Sequence, residues 1–298
     1  MSKEERIVEG VRLSSPDKVL WPEQGITKSE LADYYLKIAG VMLPHVARRP
    51  VTMVRCPTGA EKKCFYQRHA ASGVLPELRE VSVPGFEEPY LYIEDAAGLV
   101  AMVQMGTLEI HPWGVRIEAP DKPDRIIFDL DPDECLGFAD VVRAAIEIRE
   151  RLSALGLTSF VKTTGGKGLH VILPIEPVSD WREAKAFAKG FSELMAADAP
   201  DRYLTKISKA EREGRIFIDY LRNDPTSTAV GPYSTRSRPG APVATPLEWD
   251  EVTEGLDPKA FTVETVPDRV RILQRDPWSE MEQTVQRLPP LSRDRERR

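Results

Sequence analysis

The 298-residue chain has few cysteines and no long apolar run, and each absence narrows what it can be. Its three cysteines, Cys56, Cys64 and Cys135, form no Cys-x-x-Cys pair, so we expect neither a disulfide framework nor a zinc cluster. No apolar stretch approaches the roughly 20 residues that span a bilayer. No apolar segment follows the charged start Met1–Arg6, as it would in a signal peptide. These absences predict a cytoplasmic protein with no membrane contact.

The chain also lacks the positive charge that non-specific nucleic-acid binders usually carry. Its formal net charge is −6, which counts mildly against nucleic acid because phosphate neutralisation dominates that kind of affinity. Basic residues are nevertheless concentrated in one span, which contains Lys206, Lys209, Arg212, Arg215, Arg222, Arg236 and Arg238. A local basic patch can bind phosphates on an acidic protein.

The most informative segment is an apolar run, Arg125–Pro132, that ends in two aspartates. Successive strand residues point to opposite faces, so Asp129 and Asp131 share one face. Two carboxylates so close repel each other unless a cation lies between them, and Mg²⁺ or Mn²⁺ prefers such oxygen ligands. The alternative is a strand that runs into a polar turn at residues 131–133.

A glycine-rich loop, residues 162–170, lies between two predicted strands. Its glycines let backbone N–H groups approach an anion, Thr164 supplies a hydroxyl, and Lys167 supplies a compact positive charge. His170 begins the next strand, where it can face the same pocket. The segment lacks the Walker-loop pattern, and a plain hairpin turn is the alternative.

A second apolar strand ends at Asp219, and Arg222 follows three residues later. A buried aspartate needs a partner. A salt bridge to Arg222 is the simple explanation, and a metal shared with Asp129 and Asp131 is the functional one. Three carboxylates beside a Gly/Lys/His loop fit two-metal phosphoryl chemistry, in which two cations contact the attacking and leaving oxygens.

The remaining pattern predicts helices and strands in irregular alternation. Helices are predicted from Thr27 to about Val46 and over Ala96–Met105, Phe138–Leu155 and Trp181–Ala197, and strands over Val51–Arg55, Tyr90–Ile93, Leu108–His111, Ser159–Thr163, Leu169–Leu173 and Ile216–Asp219. This order favours a mixed α/β (α+β) fold over a doubly wound parallel sheet. We predict a single domain over residues 7–285, followed by a polar, Arg-rich tail or linker over 286–298.

Taken in order, the Asp-x-Asp pair, the glycine loop and the segment Asp-Tyr-Leu-Arg-Asn resemble the archaeo-eukaryotic primase superfamily. More particularly they resemble the polymerase domain of bacterial ligase D, the non-homologous end-joining polymerase, and the likeness runs from about Leu13 to Trp278. The resemblance implies a primase-type catalytic core with an RNA-recognition-like sheet, an N-terminal α/β part and two intertwined subdomains. It also implies a template-directed nucleotidyltransferase that fills gaps, extends DNA ends, favours ribonucleotides and uses Mn²⁺ readily.

The resemblance also implies roles for residues at the motif positions. Asp129 and Asp131 would bind both metals, and Asp219 would bind the metal that activates the primer 3′-hydroxyl. The triphosphate would be held by Thr164, Lys167, His170 and Arg236. His111, in the family-like segment 105–113, would lie near the sugar of the incoming nucleotide, and Arg222 near the metals and the primer end.

Further positions resemble the family's DNA-end contacts. Lys18 and Lys28 match its pocket for the 5′-phosphate of a downstream strand, although Lys28 could simply occupy the first turn of a helix, where the dipole disfavours a cation. Phe65 and Tyr66 match an aromatic pair that stacks on template bases, with a core position for Phe65 as the alternative. The family usually has Ser at Thr164 and Phe at Tyr66, so the hydroxyl and the ring are kept.

The partners that the resemblance implies are 5′-phosphorylated DNA ends, nucleoside triphosphates, Ku and a DNA ligase module, in the cytoplasm at the nucleoid. Two alternatives are open. One is a haloacid-dehalogenase-type phosphatase, because residues 128–131 resemble its nucleophile motif, although that chemistry wants Thr or Val where this chain has Asp133. The other is a non-catalytic DNA-end bridging module, whose DNA binding would survive alanine substitution of the aspartates.

Overall fold

The structure is a computed structural model that describes residues 5–70, 73–208 and 211–289. Lys209 of the basic span and residues 290–298 of the predicted tail lie outside the described residues. In the part of the chain that the structure describes, no helix combines the length and the apolar character needed to cross a membrane.

The N-terminal part consists of short hairpins, two helices and a three-stranded sheet. Its elements are β1 (Glu5–Val8), β2 (Val11–Ser14), β3 (Val19–Trp21), β4 (Ile26–Thr27), α1 (Lys28–Val46), β5 (Val51–Arg55), β6 (Phe65–Gln67), β7 (Arg79–Val81), β8 (Tyr90–Tyr92), α2 (Ala96–Gln104) and β9 (Thr107–Pro112). The three-stranded sheet is antiparallel with the order β6-β5-β9. Strands β1 and β2, β3 and β4, and β7 and β8 form separate antiparallel pairs.

Both helices of this part begin where side-chain caps place them. Thr27 Oγ1 accepts a hydrogen bond from Glu30 N at 3.2 Å, and Glu30 Oε2 accepts one from Thr27 N at 2.7 Å. This reciprocal capping box satisfies two backbone donors at the start of α1. Asp95 caps α2 by accepting from Gly98 N at 3.0 Å. The predicted starts of both helices are therefore confirmed.

The second part is a six-stranded sheet with two helices on one face. Its elements are β10 (Arg125–Pro132), α3 (Phe138–Ala154), β11 (Phe160–Thr163), β12 (Leu169–Pro174), α4 (Trp181–Asp198), β13 (Tyr203–Leu204), β14 (Ile216–Asp219) and β15 (Pro246–Leu247). A fifth helix, α5 (Val266–Ile272), follows and packs against α1. The strand order is β13-β14-β10-β12-β11-β15, and every neighbouring pair is antiparallel except β13 with β14. This arrangement confirms the predicted mixed α/β fold.

Strand β10 separates the hydrophobic core from the site face. Ile126, Phe128 and Leu130 are fully buried in the core that includes α3 and α4. Burying each of these side chains stabilises the fold by roughly 1.5–3 kcal/mol. A slip of one residue would exchange the two faces of the strand, so this core fixes Asp129 and Asp131 on the opposite face.

The chain returns to the N-terminal part after β14. Tyr233, Val243 and Val266 are buried in the same core as α1 and α2, and Tyr34 Oη donates to Tyr233 O at 2.8 Å. The two parts are thus interleaved along the chain. The boundaries of the domain and of the tail stay predictions.

The cysteine spacing, from which we expected no disulfide framework, did not reveal one disulfide bond. Cys56 and Cys64 are joined by a disulfide, whereas Cys135 is free and exposed. The reason is strand pairing, because Arg55 on β5 lies opposite Phe65 on β6. The next residue of one strand therefore meets the preceding residue of the other, which the spacing of cysteines along the sequence does not reveal.

Candidate active site

Four adjacent strands place ionisable side chains in one row on the site face of the six-stranded sheet. Lys162 on β11 lies opposite His170 on β12. His170 in turn lies opposite Asp129 on β10, and Asp129 lies opposite Asp219 on β14. Side chains of directly opposed residues lie on the same face, within contact distance. The motif residues His170, Asp129 and Asp219 therefore lie side by side, although they are far apart in sequence.

This row borders an open cleft of about 650 Å³. The predicted site residues that line the cleft are Tyr66, His111, Asp129, Asp131, Thr164, Lys167, His170, Arg222 and Arg236. Asp219 is adjacent through its pairing with Asp129. Lys18, Lys28 and Phe65 do not line it.

Arginines contact all three aspartates. The guanidinium of Arg222 lies between two of them, with Nε 3.2 Å from Asp129 Oδ2 and Nη2 3.1 Å from Asp219 Oδ2. Asp131 is paired with Arg212. The salt bridge that the sequence offered as the simple explanation of Asp219 is thus present. Within residues 5–70, 73–208 and 211–289, no three His, Cys, Asp or Glu side chains are gathered closely enough to hold one metal ion.

The two paired aspartates differ in how easily they ionise. Burial, together with the charges of Asp129 and Asp131, raises the pKa of Asp219, although Arg222 opposes the shift. Burial acts in the same direction on Asp129, but His170 and Arg222 outweigh it and hold the pKa of Asp129 well below its usual range. The repulsion that acts on Asp219 is what a divalent cation would relieve. The position of Arg222 shows that positive charge is accommodated between the carboxylates, so this oxygen donor set fits Mg²⁺ or Mn²⁺.

His170 is neutral near pH 7. Burial and the charge of Lys162 lower the pKa of His170 to about 4, against the opposing effect of Asp129. Its Nε2 lies 3.3 Å from Asp129 Oδ1, and Nδ1 is buried without a hydrogen-bond partner among the described residues. Burial and the charge of Arg236 also lower the pKa of Lys162 well below its usual range. A neutral ring at this position can donate a hydrogen bond without adding charge to the row.

Glu109 connects two predicted site residues that come from distant parts of the chain. His111 Nε2 donates to Glu109 Oε2 at 2.8 Å, and Arg236 Nε lies 3.0 Å from the same oxygen. Ser237 donates to Glu109 Oε1 from its backbone N at 2.9 Å and from its Oγ at 2.7 Å. Burial would raise the pKa of Glu109, but His111 and Arg236 more than offset it. A carboxylate that is 5% exposed and ionised therefore fixes both side chains at the wall of the cleft.

The glycine loop is a tight turn that passes close to β10. Thr164 N and Oγ1 both lie 3.1 Å from Gly168 O, which closes the turn. A Cβ at Gly168 would lie 2.3 Å from Leu130 O, and Gly165 has φ +65°. Only glycine fits such a close approach or adopts such a φ readily. Lys167, at the exposed tip, projects from this turn and lines the cleft.

The predicted 5′-phosphate lysines lie in the N-terminal part. Lys28 is 7% exposed, and its Nζ donates to Ser14 O at 3.0 Å and to Gln104 Oε1 at 2.7 Å. Lys18 is exposed and donates to Pro57 O. Burial, and then the charge of Lys18, lower the pKa of Lys28 to about 8. Lys18 and Lys28 therefore bring two positive charges near each other.

The predicted template-stacking pair is on the surface. Phe65 is 43% exposed and Tyr66 is 68% exposed, so the alternative that Phe65 packs in the core is wrong. The guanidinium of Arg55 lies 5.3 Å from the centre of the Phe65 ring. Both rings are therefore available to stack on a ligand.

Sequence reasoning missed several residues of the cleft and its support. They are Arg68, Glu109, Lys162 and the segment 226–230, while Arg212 and Arg238 were named only as part of a basic span. Glu109 lies two residues before His111, a spacing that places both on one face of a strand. Arg238 lies two residues after Arg236, in a turn where the spacing predicts no shared face. Segment 226–230 carries no comparable signal.

Comparisons with known proteins give a consistent result. Residues 27–278 match the family described as LigD, primase-polymerase domain. The chain is 35% identical over 288 residues to the multifunctional non-homologous end joining protein LigD of Pseudomonas aeruginosa. This match covers 95% of the chain and 34% of that protein. It is also 37% identical over 251 residues to the protein of the same name from Mycolicibacterium smegmatis. That match covers 83% of the chain and 33% of that protein. The chain therefore spans about a third of the length of these curated relatives.

A solved structure is similar over nearly its whole length. The polymerase domain of Mycobacterium tuberculosis ligase D, in complex with DNA, matches with a TM-score of 0.82 at 32% identity. The match covers 93% of this chain and 99% of that chain.

Proposed function

This chain belongs to the LigD primase-polymerase domain family and is a nucleotidyltransferase, and on that premise we propose that it is a template-directed polymerase that fills gaps and extends DNA ends in non-homologous end joining. The observation that carries the proposal is the row of paired residues across the sheet. It brings Asp219, Asp129 and His170 together at the edge of a cleft whose lining includes several arginines and a lysine.

The proposed reaction joins the 3′-hydroxyl oxygen of a primer to the α-phosphorus of a nucleoside triphosphate, and pyrophosphate leaves. Lys167 and Arg236 would neutralise the triphosphate and the charge that develops on the leaving group. Thr164 and His170 would orient the triphosphate through hydrogen bonds. Arg222 would change partners, from the aspartates to the primer end.

Asp129, Asp131 and Asp219 would hold two Mn²⁺ or Mg²⁺ ions. Such a pair, when bound, stabilises both the attacking and the leaving oxygen of an in-line displacement. The carboxylates supply the negative charge for that role, and His170 stays neutral, so it does not compete with a cation for Asp129. Binding would require Arg212 and Arg222 to release the carboxylates that they now contact.

Sugar and strand recognition complete the proposal. His111, fixed by Glu109, would lie near the sugar and support a preference for ribonucleotides. Phe65 and Tyr66 would stack on template bases, which contributes about 1–3 kcal/mol per base. Lys18 and Lys28 would bind the 5′-phosphate of the downstream strand. Ku and a DNA ligase module would be partners at DNA ends, in the cytoplasm at the nucleoid.

Family membership bears on both alternatives. It gives the phosphatase no support, and it identifies the chain as a nucleotidyltransferase, which argues against a DNA-end bridging module without catalysis. Activity is the property that separates such a module from a polymerase of the same fold.

The experiment is primer extension on a gapped duplex that carries a 5′-phosphate, with Mn²⁺ or Mg²⁺ and with either ribonucleotides or deoxyribonucleotides. We expect Asp219→Ala to reduce nucleotide addition by at least about 1,000-fold, a loss of roughly 4 kcal/mol in transition-state stabilisation. Binding of the duplex should survive, because Lys18 and Lys28 lie outside the cleft.

Asp133→Asn is the matched control. Asp133 is an aspartate that directly follows the neighbouring strand β10 but does not line the cleft, so this variant should extend primers at the rate of the unaltered protein. Normal extension by Asp219→Ala, or no extension by the unaltered protein with either sugar, would overturn the proposal.

A further inference from the structure

The disulfide lies between the two surfaces that we propose contact a DNA end. It closes the connection between β5 and β6, which we call the cystine loop (residues 56–64). One side of this loop contacts Lys18, and its end leads directly into Phe65 and Tyr66. A covalent change in the loop can therefore reach both surfaces.

The cystine loop packs on the strand that follows Lys18. Pro57 O accepts a hydrogen bond from Lys18 Nζ, and Ala60 N donates to Leu20 O at 2.7 Å. A Cβ at Gly59, where φ is +106°, would lie only 3.1 Å from Leu20 O. The conformation of the loop thus decides where the Lys18 ammonium is held.

The other end of the loop adjoins the exposed aromatic pair. Cys64 immediately precedes Phe65, and Cys56 immediately follows Arg55, whose guanidinium lies over the Phe65 ring. The disulfide therefore joins the two residues next to this cation–π contact.

We propose that Cys56 and Cys64 form a redox modification site whose thiol–disulfide state sets how the cystine loop presents Lys18 and the aromatic pair to a DNA end. The effect on DNA-end binding rests on the proposed function, whereas the thiol–disulfide exchange itself does not. Disulfides in a reducing compartment are usually transient and redox-sensing rather than structural. A bond that sits beside two contact surfaces, in a loop with exposed lysines, suits such a role.

The chemistry is exchange with a small disulfide such as oxidised glutathione. Cys64 is partly exposed, whereas Cys56 is fully buried, so the Cys64 thiolate attacks first and one half of the reagent leaves as a thiolate. The Cys56 thiolate then attacks the Cys64 sulfur and expels the other half. Two protein thiols are oxidised and one small disulfide is reduced to two thiols. Exposed Lys62 and Lys63 attract an anionic reagent of this kind.

The test uses the Cys135→Ser protein, so that the free exposed thiol does not contribute. The protein is equilibrated in buffers with different ratios of reduced to oxidised glutathione and then alkylated, and its intact mass reports the fraction with a disulfide. Two readouts follow on the same samples. One is the rate of trypsin cleavage after Lys62 and Lys63. The other is the ratio of affinities for gapped duplexes with a 5′-phosphate and with a 5′-hydroxyl.

We expect the disulfide to form and to be reduced reversibly across these buffers. The oxidised protein should be cleaved more slowly in the cystine loop and should prefer the 5′-phosphate at least about fivefold more than the reduced protein, the lower end of usual couplings between sites. Cys64→Ser should match the reduced protein in every buffer. Because reduction needs no substitution, the comparison stands even if that variant folds poorly.

Thiols that stay unpaired at every glutathione ratio would overturn the site itself. A disulfide that forms but leaves trypsin cleavage and the 5′-phosphate preference unchanged would overturn the coupling. If cleavage responds but neither state distinguishes a phosphate from a hydroxyl, the proposed end recognition fails and the coupling fails with it, whereas the redox site stands.

Discussion

At the scale of single residues, the least expected feature is that Glu109 supports two side chains from distant parts of the chain. It fixes His111 on its own strand and Arg236 in the connection between β14 and β15. Glu109 itself contacts no substrate in the proposed reaction. Glu109 therefore affects activity only by positioning His111 and Arg236.

Glu109→Gln tests this support. The amide cannot pair ionically with Arg236, so both side chains lose their common anchor, and a misplacement of about 1 Å can cost about 100-fold in rate. We expect kcat/KM for the nucleotide to fall by about 10- to 100-fold, measured by single-nucleotide incorporation. Glu80→Gln, at an exposed position on β7, is the control. An unchanged kcat/KM in Glu109→Gln would contradict the supporting role.

Lys28 predicts a pH dependence of end recognition. Its pKa is lowered to about 8 by burial and by Lys18, and a bound 5′-phosphate would raise it again. Affinity for the phosphate should be full below about pH 8 and should fall as pH rises above it, by at most about tenfold per pH unit for one proton.

The measurement is the ratio of affinities for 5′-phosphorylated and 5′-hydroxyl duplexes between about pH 7 and pH 9.5, a range over which the phosphate itself keeps its charge because its second pKa is about 6. Lys28→Arg keeps its charge throughout and should flatten the profile. A flat profile in the unaltered protein would show that Lys28 does not bind the phosphate.

At the scale of elements, register decides where the chemistry lies. The core residues of β10 fix its faces, and pairing with β12 and β14 then sets His170 and Asp219 beside Asp129. The turn between β11 and β12 depends on this register too, because Gly168 passes directly over Leu130 O.

Gly168→Ala should therefore disturb both the strand pair and the loop. The added Cβ would lie 2.3 Å from a backbone oxygen that cannot move without shifting β10. We expect a loss of about 1–3 kcal/mol in the free energy of unfolding, measured by urea denaturation, together with weaker nucleotide binding. Gly40→Ala is the matched control, since its Cβ would meet no atom within 4 Å in helix α1 and should stabilise by up to about 1 kcal/mol. Equal stability of the two variants would contradict the close approach.

The elements themselves were largely predictable from the sequence. Capping at Thr27 and Asp95 located two helices, and the alternation in β10 located its two faces. The pairing of strands was not predictable in the same way, because it joins residues far apart in sequence. The β1–β2 hairpin and the disulfide were missed as well, although each joins residues fewer than ten positions apart.

At the scale of the whole molecule, an acidic chain has a cleft that is lined by several basic side chains. The net charge of −6 counted against nucleic acid, yet the cleft is lined by Arg68, Lys167, Arg222, Arg236 and Arg238. Net charge sums over the surface, whereas binding depends on local potential. The ordered motifs, and not the composition, carried the family assignment.

The site was predictable where a motif marked it and not where the fold assembled it. Asp129, His170 and Asp219 each belong to a motif that includes an apolar strand, and the structure brings them together. The arginine contacts to the aspartates and the supporting role of Glu109 depend on tertiary packing. No local pattern could show those distances.

The most direct test of the account is whether the template base selects the nucleotide that is added. A gapped duplex with a 5′-phosphate is prepared in four versions that differ only in the templating base, and the unaltered protein is given all four nucleotides with Mn²⁺. We predict that the added nucleotide follows the template in every version and that Asp219→Ala adds none. Addition that ignores the template, or no addition to any version, would contradict the account.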